Sequence, residues 1–151
     1  MDTVTYPQQS VVAFIEHNFV PLRVGSDTQP LASDFAVTWT PTLVILDPQG
    51  KEHHRTVGFF DAEALIPSLL LGLGKVEYDS NKFKEALGYL EKLLAEYPES
   101  DSAPEAIFLA GVSQYKSTSN PLPLKEAYEQ LQKTHPASTW TKRAYPYRLL
   151  G

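Results

Sequence analysis

Apolar and polar positions follow two different rhythms along the chain. Up to about Phe60, short runs with helix spacing alternate with short runs that read as strands. In the first helical run, Val11, Phe14 and Ile15 fall three and four residues apart, Ser10 stands where a cap belongs, and Asn18 ends the element. "FVPLRV", Phe19 to Val24, then reads as a strand, with Pro21 restricting it to an edge or a bulge. Pro30 opens a short helix whose inner face is Leu31, Ala32 and Phe35. "LVILD", Leu43 to Asp47, is continuous and branched, the pattern of a strand covered on both faces. "DPQG" is a turn in which Gly50 supplies positive φ, and "KEHHRTVGF" returns as a more polar strand near a sheet edge. Helix, strand, helix and then two tightly joined strands predict a mixed α/β layer.

From Asp61 onward only the helical rhythm remains. Asp61 caps a helix with Ala64, Leu65 and Leu69 on one face, and Pro67 either bends it or marks its true first turn. An internal repeat follows. Pro98 and Pro136, Ser100 and Ser138, Ala106 and Ala144, Leu93 and Leu131 all share one offset of 38 residues. Ser100 and Ser138 are placed to cap helices after the proline-marked turns. Helical hairpins of this kind bury their apolar faces only by stacking on a neighbour.

Composition narrows the function classes. With 151 residues, 42% hydrophobic and 21% charged, the chain has the makings of one domain or a small domain with an appendage. A formal charge of -5 and the lack of any polybasic run argue against nucleic acid as the main partner, because phosphate binding needs a basic surface. No apolar run in the sequence approaches the length needed to cross a bilayer. The amphipathic stretch "NKFKEALGYLEKLLAEYP" mixes Lys with Glu on its polar side, where a membrane-surface helix would carry cations. No leader pattern opens the chain, which points to the cytoplasm by default and to the periplasm if the true N-terminus lies upstream. The absence of cysteine removes thiolate nucleophiles, disulfides and cysteine-ligated metals.

Other chemistry is thin. His53 and His54 are adjacent in a strand, so their side chains point to opposite faces and do not chelate one ion; a solvated edge strand is the expectation. Asp27, Asp34, Asp47 and Asp61 each sit where a cap or turn wants an aspartate. No nucleophile elbow, phosphate-cradling loop or zinc-spaced cluster occurs. No catalytic residue, metal site or cofactor is expected in these residues.

The ordered series "VVAFIEHNFVPLRV", "PLASDFAV", "TPTLVILDPQGKE" and "VGF" resembles thioredoxin-like proteins of the thiol:disulfide interchange type, over residues 1–71. The resemblance implies a cis peptide bond before Pro41. It also places the family's Cys-x-x-Cys, and the central strand leading into it, upstream of Met1. The expected fold is therefore α/β: an incomplete thioredoxin-like layer, a mixed sheet with flanking helices, followed by an all-α region. Residues 72–151 resemble tetratricopeptide repeats, in a variant similar to repeats of bacterial envelope proteins. Leu73-Gly74 fall at the first-helix signature and Ala86 at the small residue of the second helix. Phe83, Leu90, Leu93 and Leu94 fall on the packing face, and Pro98 closes the unit. The second copy places Gly111 and Ala127 equivalently around an insertion at "NPLP".

By that resemblance, Trp39, Thr40 and Pro41 form a peptide-binding loop beside a groove, or a turn retained for folding alone, with Trp39 either an anchor or a packed residue. Tyr78, Phe83 and Tyr115, with Phe108 and Tyr128, either line a groove between repeats or fill their interfaces. Three functions follow. The chain is a redox-inactive binding or adaptor module for a protein or extended peptide; or the C-terminal part of an oxidoreductase whose cysteines lie upstream; or a structural protein that pairs as a homodimer through an open sheet edge.

Overall fold

The structure, a computed structural model, describes residues 1–150. After an N-terminal set of turns, helix α1 (Gln9–Asn18) leads into an irregular segment and the short helix α2 (Leu31–Asp34). Strands β1 (Thr42–Leu46) and β2 (Glu52–Val57) form an antiparallel hairpin, the one sheet among the described residues. Five helices follow: α3 (Ala62–Asp79), α4 (Phe83–Glu96), α5 (Ala103–Thr118), α6 (Leu122–Thr134) and α7 (Thr139–Ala144), closed by a 3₁₀ turn over Tyr145–Leu149. Thus the chain joins a small two-stranded α/β layer to a stack of helical hairpins.

The hairpin turn is built as its sequence demands. Asp47 Oδ1 accepts from the backbone N–H groups of Gln49 and Lys51, both at 2.9 Å, and Gly50 takes a φ of 82°. The Thr40–Pro41 and Gln29–Pro30 peptide bonds are cis.

Phe19–Val24 is not a strand. It has no regular secondary structure and pairs with no strand, with Val20 98% and Leu22 81% exposed. No neighbouring strand offers it a ladder, and Pro21 lacks a donor of its own. The sheet is therefore narrower than the mixed sheet expected. Ser10 does not cap α1, which begins one residue earlier with Gln8 at the cap and no side-chain bond there. Ser100 caps nothing either: α5 begins at Ala103, and the Ser100 hydroxyl is buried without a partner. Ser138 does cap α7, accepting from the Trp140 N–H at 3.1 Å.

Helix α3 organises the packing. Asp61 Oδ1 accepts from the Ala64 N–H at 2.8 Å, which fixes the start of the helix. Replacing Asp61 by alanine should cost about 1 kcal/mol, read as a lowered urea midpoint. The helix runs through Pro67 rather than starting there. It is buried on more than one side, with Leu65 and Pro67 fully enclosed and Leu69, Leu70 and Leu71 all below 7% exposure. One side meets the hairpin, where Gly72 lets Ile45 and His54 approach the helix backbone. Another meets α4 through Leu90 and Leu93, both fully buried. Thr5 donates to the Phe60 carbonyl at 2.5 Å and draws the N-terminal turns onto the start of the helix.

The 38-residue offset is visible as repeated geometry. Tyr97 and His135 end α4 and α6 with the same backbone angles, φ -136° and ψ 54°, each donating its N–H to a leucine carbonyl four residues back. Pro98 and Pro136 follow and stop both helices. A second apolar cluster, Ile107, Ala127, Leu131 and Ala144, holds α5, α6 and α7 together, with Phe108, Tyr128, Trp140 and Tyr147 packed around it.

Candidate functional site

The loop before β1 carries the predicted peptide-binding residues. Thr42 Oγ1 donates to the Trp39 carbonyl at 2.6 Å and pins the loop to the strand. The Trp39 side chain is 68% exposed and does not pack under a helix. Ser26, Val37, Thr38, Trp39 and Thr40 line a shallow recess. Beside it, the outer edge of β1 is free. The Pro41 carbonyl accepts from the Gly58 N–H at 2.8 Å, so alternation along an antiparallel ladder turns the N–H and C=O groups of Thr42 and Val44 away from β2. An extended chain placed along that edge finds donors and acceptors at strand spacing, with Trp39 at one end.

The histidine pair departs from its expected setting. The register passes from Ile45–His54 to Leu46–Glu52, so His53 is an extra residue on β2, a bulge. A bulge breaks alternation and re-aims its side chain. Both rings consequently turn to α3 instead of to opposite faces, and neither belongs to a solvated edge. The His53 side chain is 2% exposed, with Nδ1 2.6 Å from Asp79 Oδ2 and Nε2 3.0 Å from Asp47 Oδ2. A carboxylate on each ring nitrogen favours the doubly protonated imidazolium. The Asp47 hydrogen bond, against the cost of burial and with help from Asp79, holds His53 above its ordinary range. The His53 hydrogen bond and the two backbone N–H groups hold Asp47 below the usual carboxylate range. His54 Nε2 lies 3.0 Å from Ser68 Oγ on α3, and burial, with the Lys75 charge adding to it, pushes its pKa down to about 4. This clamp ties the hairpin to both halves of α3. Among the described residues no group of three potential ligands is arranged to hold a metal ion.

In the helical half, Tyr78 and Phe83 meet edge to face across the α3–α4 turn, with ring centroids 5.5 Å apart. Tyr115 joins neither and is 38% exposed near the end of α5. Phe108 instead packs between Trp140 and Tyr147, at 5.2 and 5.8 Å. No helix among the described residues is long and apolar enough to cross a membrane.

The tetratricopeptide repeat family matches residues 68–100, the span from the middle of α3 through α4 to the proline-marked turn. No curated protein matches the chain. Residues 68–100, the second part of α3 with α4, are thus similar to a tetratricopeptide repeat, and a match of this kind supports a protein-interaction module.

Proposed function

We propose that the chain is a redox-silent adaptor. Residues 1–71 are read as a thioredoxin-like layer and residues 72–151 as tetratricopeptide-like helices, and the two together hold protein segments. These 151 residues contain no cysteine, so they offer no thiolate for disulfide exchange. The observation that carries the reading is the unpaired β1 edge beside an exposed Trp39 on a loop tied down through Thr42. The ligand is an extended peptide that adds a strand at Thr42 and Val44 and packs one side chain on the indole.

A test uses the Trp140→Phe protein, which leaves Trp39 as the single indole. Binders selected from a random peptide library should shift the Trp39 emission, and Trp39→Ala should weaken them by at least about tenfold. Binders that leave the emission unchanged and tolerate Trp39→Ala would refute the site. A second copy of the chain is the other occupant with support, because Val20 and Leu22 leave an apolar segment in solvent. Light scattering that shows a dimer would assign the edge to that use.

A further inference from the structure

Charge is distributed unevenly along this acidic chain. It has 13 Lys and Arg against 18 Asp and Glu; four of the 13, Lys133, Lys142, Arg143 and Arg148, and none of the 18 fall in residues 130–150. All four are exposed, and among the described residues none of them forms an ion pair. The packing of α6, α7 and the terminal 3₁₀ turn brings them to one end of the helical stack.

Two of these cations are already positioned. The Arg143 guanidinium lies 4.5 Å from the centre of the Trp140 ring, and that of Arg148 lies 3.9 Å from the centre of the Tyr145 ring. A guanidinium lying over a ring keeps the N–H donors of its rim available and loses less side-chain freedom when a carboxylate arrives. The one further contact of Arg148 is with the Tyr145 carbonyl at 3.5 Å, a long bond that leaves the fork open. Lys142, with Gln132, Pro136, Thr141 and the Tyr145 under Arg148, lines a recess on this surface. Among its lining residues Thr141 is buried and Lys142 is exposed.

We infer that this end of the stack is a docking surface for an acidic, extended segment of a partner protein. Carboxylates of that segment meet Lys142, Arg143 and Arg148, and one apolar side chain enters the recess between Pro136 and Tyr145. A peptide fits better than a nucleic acid or a lipid surface for a reason of extent. Beyond this patch the remaining nine cations face all 18 carboxylates, so a long polyanion or a broad anionic surface would meet repulsion on either side. The surface shares no residue with the β1 edge, so either can fail without the other.

The probe is a fluorescein-labelled peptide of glutamates around one central leucine, titrated by anisotropy into the full chain. Binding is expected on the order of 100 µM or tighter at low ionic strength, weakening several-fold in about 0.5 M salt. The Lys142→Glu/Arg148→Glu protein should lose about tenfold or more. Lys84→Glu/Lys92→Glu makes the same change in net charge on α4 and should lose less than about twofold. Replacing the leucine by serine in the probe should weaken the native protein and leave Tyr145→Ser little affected. Absence of binding up to about 1 mM, equal losses in the two double variants, or tighter binding of oligothymidylate or anionic vesicles than of the peptide would overturn the inference.

Discussion

Gly111→Val should lower the melting temperature by roughly 10 °C, the largest effect expected of any single substitution outside the leucine core. Gly111 is buried in α5 where α6 crosses it. A Cβ there would lie 2.6 Å from the Ala127 Cβ and 2.9 Å from the Pro123 carbonyl oxygen. The second neighbour is backbone and cannot swing aside, so the helices must separate. Overpacking of this kind costs about 3 kcal/mol. The helices closed by that contact bury Ile107, Ala127 and Leu131, and parting them lets water reach all three. Gly111→Ala should cost less, and Gly111→Ala with Ala127→Gly should recover part of that loss but not all, since the Pro123 carbonyl remains. Differential scanning calorimetry of the three proteins decides it. A valine variant that melts with the native protein would mean that α5 and α6 do not meet here.

The second large effect is a stability optimum near pH 6.5 set by two adjacent histidines that titrate in opposite senses. His53 has a folded pKa above the ordinary 6.5. Its bonds to Asp47 and Asp79 contribute fully below that value and fade as pH rises through the raised pKa. The folded pKa of His54 is pushed down to about 4 from 6.5. The unfolded chain therefore binds its proton first, and stability falls as pH drops from 6.5 towards 4, by about 3 kcal/mol in all. Asp47, with its pKa lowered from 3.8, loses its contribution only below this window. Urea midpoints measured from pH 4.5 to 9 should trace a dome. His54→Gln should flatten the acid limb. His53→Gln should flatten the alkaline limb and lower the maximum by about 2 kcal/mol, because two carboxylates lose their shared donor. A profile with the same shape in all three proteins would refute both assignments.

The helical half was largely legible in the sequence because its signals are local. Asp61 lies where its side chain reaches the third N–H beyond it, and Pro98 and Pro136 stand just past the caps of α4 and α6, where a helix stops. Gly74 with Ala86, and Gly111 with Ala127, were recognisable as small residues of a repeated unit before any contact was known, and both glycines prove to be closely approached. Ser100 misled because a cap depends on where the helix starts, and Pro104 shifts that start to Ala103. The α/β half was less legible because strands are completed by partners distant in sequence. The β1–β2 hairpin was evident from its turn, whereas Phe19–Val24 has strand composition but no neighbour to pair with. The histidine clamp was hidden by one extra residue. Alternation holds along an unbroken ladder, and the bulge at His53 turns an apparent surface residue into one with 2% of its side chain exposed. Asp79, its partner from the far end of α3, gives no sign in the local pattern around the histidines.

Helix α3 belongs to both halves at once. Its middle is the floor of the hairpin and its length is the first wall of the repeat stack, and residues 68 to 79 serve each role. The halves are thus not beads on a string. Excising either would strip Leu69, Leu70 and Leu71 of part of their cover, so in any chimera this rod has to travel with whichever half is transplanted.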